Sequence, residues 1–157
     1  MTAKEILQYV KSHASGKVKI GFTDIDGVLR GKYVSAGKFL SIVKNGSGFC
    51  DVIFGWDAAD MAYDNGQYTG WHTGYPDAPV RIDLSSFRKI PWENDIPFCL
   101  GEIIDRDGNP ANVCPRQLVR KVMDDASSAG FVPVFSQEFE WFNFAETPKS
   151  ANDKQFR

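Results

Sequence analysis

The sequence predicts an α+β fold, in which neighbouring strands return on themselves as hairpins and short helices stand between them. Residues 17–23 alternate between apolar and polar side chains, as a half-buried strand does, and the Asp26-Gly27 pair that follows is a hairpin-turn signal. Three other segments have the apolar spacing of amphipathic helices. Because strands and helices do not alternate regularly along the chain, a doubly wound parallel sheet is disfavoured.

Three helices are predicted, over residues 2–13, 36–46 and 115–130. In the first helix, Thr2 and Glu5 have the spacing of a capping box. A glycine follows or ends each helical pattern, as is common at helix carboxyl ends. The apolar residues expected to face the core are Ile6, Leu7 and Val10 in the first helix, Phe39, Leu40 and Val43 in the second, and Leu118, Val119 and Val122 in the third.

The remaining strands are predicted from alternation or from short apolar runs. They cover residues 28–34, 52–54, 80–90, 98–105 and 131–144. Between residues 47 and 79 the chain is rich in Gly, Asp and aromatic residues, and apart from the short strand it has little periodicity. Loops of this length inside a compact domain are usually functional.

Composition limits the classes of function that the chain can serve. It has 157 residues, with 18 Lys and Arg against 20 Asp and Glu, so no basic surface for a nucleic acid is expected. No apolar run reaches the ~18 residues needed to span a membrane, and the amino terminus lacks a signal-peptide pattern. Three cysteines without a Cys-x-x-Cys pair indicate reduced thiols in a cytoplasmic protein.

One chemical hypothesis concerns Asp24 and Asp26. The segment FTDIDGVL resembles the start of haloacid-dehalogenase phosphatases, in which the first carboxylate attacks a phosphoryl group and the second protonates the leaving oxygen. That chemistry also needs a later acidic pair after a strand, whereas Asp124-Asp125 lies in a predicted helix. A hairpin turn explains the same residues, with Asp24 as a solvated or turn-capping carboxylate. The turn is the favoured interpretation, and the phosphatase is the alternative.

Glu138 and Glu140 form the second chemical signal. Side chains two residues apart on a strand project from one face, and two adjacent carboxylates require a cation, a raised pKa or full solvation. Mg²⁺ and Mn²⁺ prefer carboxylate oxygens as ligands. An exposed strand face is the alternative, but Phe142 and Phe144 continue the glutamate face and argue against simple solvation. The pair is therefore a candidate metal site.

Taken in order, four segments of the chain resemble the glutamine synthetase family. The segment FTDIDGVLRGKYV is similar to the family's opening motif, and IDLSSFRKIPW resembles its following segment that ends in Pro-Trp. The segment DRDGNPANVCPRQLVRKVMDDASSAGF resembles the next motif and its helix, and SQEFEWFNF is similar to the motif at which the catalytic domain begins. Within the family, the segments DIDGVLRGKY and ETPKS are most similar to the branch that contains γ-glutamyl-polyamine synthetases and lengsin-like relatives.

This resemblance implies a fold and a division of the chain. Residues 1–112 would form an amino-terminal β-grasp domain, a curved mixed sheet with helices packed against it. Residues 113–157 would begin a truncated catalytic domain, with the strand predicted over residues 131–144 as its first strand. Because the nucleotide-binding motif and the later ligands of the family have no counterpart up to Arg157, the chain by itself is expected to be inactive.

The resemblance also implies a reaction and its cofactors. Glu138 and Glu140 match the two glutamates that bind the family's paired Mg²⁺ or Mn²⁺ ions. ATP phosphorylates the γ-carboxylate of glutamate to an acyl phosphate, and ammonia or an amine then displaces the phosphate. The parent protein would be a ligase of nitrogen metabolism and glutamine biosynthesis.

A loop of the grasp domain in this family reaches the active site of the neighbouring subunit in a ring-shaped homo-oligomer. Its aspartate binds and deprotonates ammonium. The corresponding segment of this chain is GFCDVIFGWDAAD, which lacks the family's serines. Asp51 and Asp57 are the two candidates for the catalytic aspartate. This departure favours a larger amine over ammonia. A non-enzymatic, lengsin-like structural or assembly domain is the remaining alternative.

Overall fold

The computed structural model describes residues 1–156 and arranges them as helices around one five-stranded sheet. The helices are α1 (Ala3–Ser12), α2 (Ala36–Asn45), α3 (Pro115–Ser128) and α4 (Pro148–Asp153). The strands are β1 (Lys17–Thr23), β2 (Leu29–Ser35), β3 (Ser47–Cys50), β4 (Asp77–Ile90) and β5 (Ile96–Ile103). Arg157, the last residue of the predicted catalytic segment, lies outside the described residues.

The sheet is mixed, with strand order β2-β1-β5-β4-β3. The neighbouring strands β1 and β5 are parallel, whereas the β1–β2, β4–β5 and β3–β4 pairs are antiparallel. An irregularity between Asp83 and Arg88 interrupts the long β4–β5 ladder. Both α1 and α2 pack against this sheet and against each other, so the predicted α+β class with a mixed sheet is confirmed.

Local chemistry explains the starts and the buried faces of the first two helices. The Thr2 hydroxyl accepts from the Glu5 amide at 3.3 Å and the Glu5 carboxylate accepts from the Thr2 amide at 2.7 Å, which completes the predicted capping box. Helix α2 buries Phe39 and Ile42, whereas Leu40 and Val43, which were predicted to face inward, are only half-buried. The buried face of α2 is therefore rotated by part of a helical turn from the predicted face.

The predicted β1–β2 hairpin is confirmed, and Asp24 organises its turn. One Asp24 carboxylate oxygen accepts from the Asp26 amide at 3.0 Å and from the Val28 amide at 2.8 Å. Gly27 has a φ of +82°, a conformation in which glycine is favoured. The carboxylate caps the turn, as expected, but the side chain is fully buried and not solvated.

The hairpin brings two glycines face to face. Gly21 of β1 pairs with Gly31 of β2, and the two backbones approach so closely that a Cβ on Gly31 would lie 2.1 Å from the carbonyl oxygen of Ile20. Real Cβ atoms do not occur at that distance from a backbone oxygen. The close approach therefore requires glycine at position 31.

The strand predicted over residues 52–54 is wrong. The strand at this place is β3, which ends at Cys50 opposite Asp77 of β4, and residues 51–54 form a turn of 3₁₀-helix. That turn buries Ile53 and Phe54 in the core. The apolar run reflects this burial at the end of the sheet, because a fully buried short segment has no periodicity that separates strand from helix.

Helix α3 forms as predicted, but its apolar face does not pack inward. Leu118, Val119 and Val122 are each more than half exposed, and Gln117 is the buried residue of the helix. Residues 131–144 form no strand, and their aromatic side chains are exposed. A strand requires a partner for its backbone hydrogen bonds, and residues 131–144 meet none within residues 1–156. Both predictions are therefore wrong for the chain as described.

Across residues 1–156, every helix falls short of the length and apolarity that a membrane crossing requires.

Candidate functional site

Asp51 stands where β3 ends and the long loop begins. Its amide donates to the carbonyl of Pro76 at 3.0 Å, which closes the loop at its base. The carboxylate is only 5% exposed and accepts a 2.6 Å hydrogen bond from the Thr69 hydroxyl. Residues 1–156 supply no cation within ion-pair distance of Asp51. A buried carboxylate without a cationic partner is a favourable environment for a positively charged ligand.

An open pocket of about 560 Å³ borders Asp51. Tyr68 from the loop and Asp105 from the turn after β5 also line it, together with the segment 110–113. Burial and the charge of Asp51 raise the pKa of Tyr68, so its hydroxyl keeps its proton at neutral pH. The pocket thus combines the buried Asp51 carboxylate and the Tyr68 phenol with apolar residues and with the charged residues Asp77, Asp105 and Arg106.

Asp57, the second candidate, is used differently. One of its carboxylate oxygens accepts from the amides of Ala59 at 2.8 Å and Met61 at 2.9 Å, so the side chain caps a turn. The lining of the pocket beside Asp51 does not include Asp57. The turn-forming role that the sequence allows for both aspartates therefore applies to Asp57, while Asp51 is a buried carboxylate beside a cavity.

Asp24 is the nucleophile in the phosphatase hypothesis, but both of its carboxylate oxygens accept hydrogen bonds from within the chain. Besides the two turn amides, its other oxygen accepts from Arg30 Nε at 2.7 Å. The strand that follows, β2, returns antiparallel to β1, so the turn leads into a hairpin. Because both oxygens are hydrogen-bonded and the side chain is fully buried, the Asp24 carboxylate is shielded from solvent, and the geometry supports the hairpin-turn interpretation.

Glu138 and Glu140 lie on the exposed segment 131–144. Neither carboxylate forms a hydrogen bond to a side chain or an ion pair within the described part of the chain. Carboxylate oxygens suit Mg²⁺ or Mn²⁺, but residues 1–156 nowhere gather three or more His, Cys, Asp or Glu side chains that could hold a metal ion. Two glutamates therefore offer suitable donor atoms without a complete set of ligands.

Sequence reasoning missed a buried ionic cluster around Glu102 of β5. Glu102 is 1% exposed and pairs with Arg120 at 2.6 Å and with Arg81 and Arg116 at 3.3 Å, while Gln117 donates to it at 2.9 Å. Two features of the sequence could have indicated this cluster: Glu102 lies within an apolar strand, and Arg116 and Arg120 are four residues apart on one helix. This cluster, and not an apolar face, attaches α3 to the sheet.

Asp83 belongs to the same ionic cluster and gives it a pH dependence. Burial raises the pKa of Asp83, but the hydrogen bonds donated by Ser85 and Arg116 outweigh burial and hold this pKa below its ordinary value of 3.8. A carboxyl group whose pKa is lowered in the folded state stabilises the fold above the unfolded pKa, and that contribution is lost as pH falls through the folded pKa.

Asp83→Asn is therefore expected to reduce the free energy of unfolding by about 1–2 kcal/mol at neutral pH. The difference from the parent chain should be constant above about pH 5 and shrink as pH falls below 3.8. Urea denaturation over this pH range measures it. Asp125→Asn, at an exposed carboxylate paired with Lys121 on α3, is the control and should cost less than about 0.5 kcal/mol. A difference that persists undiminished at the lowest pH would contradict the role of the Asp83 charge.

The three cysteines are free, as predicted, with Cys99 and Cys114 buried and Cys50 half-buried. Burial, reinforced by the charge of Asp83, raises the pKa of Cys99 to about 12, so this thiol is inert at neutral pH.

Comparison with known proteins shows similarity along nearly the whole chain. It is 51% identical over 151 residues to type-1 glutamine synthetase 2 of Dictyostelium discoideum, a match that covers 96% of this chain and 29% of that protein. It is 35% identical over 158 aligned positions to the glutamate–isopropylamine ligase of a Pseudomonas species, which covers 98% of this chain and 34% of that protein. No family model matches the chain.

Solved structures agree at the level of the fold. A GmaS/ADP complex superposes with a TM-score of 0.58 at 22% identity, over 79% of this chain and 26% of the other. The glutamine synthetase of Plasmodium falciparum, determined by cryo-EM, gives a TM-score of 0.58 at 16% identity, over 83% of this chain and 23% of the other.

The chain thus spans about a third of the length of the curated relatives that it matches. The similarity to them extends over nearly all of its residues, as the four sequence motifs predict. By sequence and by fold, the chain is related to the glutamine synthetase family.

Proposed function

We propose that these 157 residues are the amino-terminal part of a cytoplasmic, ATP-dependent carboxylate–amine ligase. The reaction would join ammonia or an amine to the γ-carboxylate of glutamate. The observation that carries this proposal is the 51% identity over 151 residues to a type-1 glutamine synthetase. The 35% identity to a glutamate–isopropylamine ligase supports an amine as the second substrate.

In this reaction ATP transfers its γ-phosphoryl group to the γ-carboxylate of glutamate, which gives an acyl phosphate and ADP. The amine nitrogen then attacks the acyl carbon, the C–O bond to phosphate breaks, and the amine loses a proton. Release of phosphate makes amide formation favourable. An amine that arrives protonated must first lose a proton before it can attack, and this requires a base.

Asp51 is the residue that we assign to this base. Its carboxylate is buried, borders a pocket and is held in place by Thr69, whereas Asp57 uses its carboxylate to cap a turn. A carboxylate in surroundings of low dielectric constant attracts an ammonium group and can accept its proton. We place this pocket against the active site of a neighbouring subunit in a ring-shaped homo-oligomer.

Glu138 and Glu140 are assigned to the metal site. Their carboxylates are free of side-chain partners within residues 1–156, and we propose that they bind paired Mg²⁺ or Mn²⁺ together with ligands from outside this chain. When bound, such ions would neutralise the phosphates of ATP. The chain alone has two of the required ligands, so we expect it to be inactive.

The test uses the longer protein that contains this chain, supplied with glutamate, Mg²⁺-ATP and, in turn, ammonium, ethanolamine and isopropylamine. Phosphate release and the γ-glutamyl amide, detected by mass spectrometry, are expected only when all three substrates are present. Glu138→Gln and Glu140→Gln should each lower kcat at least ~100-fold, and Asp51→Asn should lower kcat/KM for the amine by about the same factor. Asp107→Asn, at an exposed carboxylate in the turn after β5, is the matched control and should retain full activity.

Two outcomes would contradict the proposal. ATP turnover by the 157-residue chain alone would show that the site is complete without further ligands. If the longer protein neither binds a nucleotide nor forms an amide, the proposal is contradicted. A lengsin-like structural or assembly domain would then be the explanation of the similarity.

A further inference from the structure

We propose that Arg30 is a positioning residue that holds the loop behind Asp51 against the β1–β2 hairpin. This inference rests on the proposed function for its effect on the reaction. Its structural part concerns the chain alone and is tested separately. Neither Arg30 nor the loop residues that it contacts bind a substrate in the mechanism above.

Arg30 connects the hairpin to the loop through one guanidinium group. On the hairpin side, its Nε donates to the fully buried Asp24 carboxylate at 2.7 Å. On the loop side, it donates to the carbonyl of Asp57 at 3.2 Å and forms an ion pair with Asp60. The guanidinium also stacks 5.1 Å from the centre of the Trp56 ring. We name these five residues the hairpin clamp.

The loop segment that the clamp holds is a small ordered unit. Trp56 bridges to Ala62, and the amide of Tyr63 donates to the carbonyl of Gly55 at 2.8 Å. The hairpin itself contributes two further bonds: the amide of Ile25 donates to the carbonyl of Ile53 at 3.2 Å, and the Asp26 carboxylate accepts from the Tyr63 hydroxyl at 3.3 Å. Few other contacts hold this segment, because residues 58–65 are exposed. Arg30 is therefore the main polar connection between the segment and the sheet.

The clamp is linked to Asp51 by a short path through packed atoms. Gly55 lies directly against Thr69, since a Cβ on Gly55 would be 2.8 Å from the Thr69 methyl group. Thr69 is 1% exposed, and its hydroxyl donates to Asp51. A shift of Gly55 therefore moves the donor that orients the Asp51 carboxylate. Arg30 acts on that carboxylate through the loop and does not touch it.

Arginine is suited to this position because its planar fork reaches partners on both sides at once. Lysine has a single ammonium group, which can pair with Asp24 or with Asp60 but does not reproduce the fork or the stacking on Trp56. Arg30→Lys is therefore expected to recover only part of the effect of Arg30→Met. Asp60→Asn removes only the ion pair on the loop side and leaves the Arg30–Asp24 pair and the bond to the Asp57 carbonyl intact.

The first experiment measures the chain itself by amide hydrogen exchange and NMR. In Arg30→Met, the amides of Asp57 and Tyr63 should lose protection about tenfold or more, while β4 and β5 amides change less than about twofold. The amide resonances of Asp51 and Thr69 should shift. Arg88→Met is the matched control: the exposed Arg88 side chain donates to the carbonyl of Phe87 as its one side-chain hydrogen bond within residues 1–156, so its replacement should leave all these amides unchanged.

The second experiment measures the longer enzyme. Arg30→Met should raise the KM for the amine about tenfold, with the KM values for glutamate and ATP within about twofold of the parent. Asp60→Asn should produce a smaller change in the same direction. This selectivity distinguishes a positioning residue from one that only stabilises the fold.

The outcomes separate this inference from the proposed function. Unchanged protection in residues 55–63, or an equal loss throughout β4 and β5, would overturn the clamp whatever the enzyme does. An equal rise in all three KM values would overturn the link to Asp51. Absence of any ligase activity in the parent protein, with the loop exchange altered as expected, would refute the proposed function and leave the clamp established.

Discussion

Replacement of Gly31 by alanine is expected to lower the free energy of unfolding by about 3 kcal/mol or more. The added Cβ would lie 2.1 Å from the Ile20 carbonyl oxygen and 3.1 Å from the Gly21 Cα. Both are backbone atoms in a strand pair, so neither can move away without separating β1 from β2. Urea denaturation followed by tryptophan fluorescence measures the loss.

Gly37→Ala provides the matched control for this substitution. Gly37 lies in the first turn of α2, and nothing is within 4 Å of the Cβ that alanine would add. Because alanine has the higher helix propensity, this variant should be more stable by about 0.5–1 kcal/mol. A Gly31→Ala variant as stable as the parent would show that β1 and β2 are not in close contact in solution.

Truncation of Glu102 to alanine is the second substitution expected to have a large effect. It removes the carboxylate on which three arginines and Gln117 converge, and it leaves a cavity under α3. Breaking a buried ion pair on one side costs about 3–5 kcal/mol. The Arg81 and Arg120 side chains are 50% and 43% exposed, so water can solvate them, and we expect about 3 kcal/mol.

Glu102→Gln separates charge from shape, since it keeps the side-chain volume and removes the negative charge. It should lose most of the same stability and also increase amide exchange in the first turns of α3. Glu93→Ala is the control, because Glu93 pairs with Lys19 at a partly exposed surface and should cost about 0.5–1 kcal/mol. Equal losses for Glu93→Ala and Glu102→Ala would show that burial of Glu102 adds nothing.

Features that depend on neighbouring residues could be predicted from the sequence. The capping box at Thr2 and the Asp26-Gly27 turn each involve groups within four residues of one another, and both form as expected. Alternation in residues 17–23 likewise identified β1, since one face of that strand is buried. Together these signals were sufficient for the α+β class.

Features that depend on distant residues could not be predicted. The spacing of Leu118, Val119 and Val122 predicts a helix correctly, but it does not state what covers the apolar face. Likewise, the alternation of residues 131–144 cannot supply the second strand that pairing requires. The predicted shared face of Glu138 and Glu140 depended on that pairing, which residues 1–156 do not provide.

The candidate site was predicted in part. Asp51 was named among two aspartates, but its burial depends on Thr69, which lies 18 residues further along the chain. The sequence shows Arg30 as part of a motif but does not predict its contacts, because its partners in the loop are about 30 residues away. A sequence pattern identifies such residues as candidates, and only the folded loop separates the buried carboxylate from the turn-capping one.

The parallel pairing of β1 with β5 places the middle of the sheet under the control of residues far apart in the chain. Lys19 faces Phe98, and Gly21 faces Leu100. During synthesis, the β1–β2 hairpin can close as soon as residue 35 has left the ribosome, but β1 waits for its second neighbour until residue 100 has emerged. Contacts of such long range slow folding. A nascent chain that stalls before β5 therefore exposes one edge of β1, the strand whose Val18, Ile20 and Phe22 side chains are buried in the folded chain.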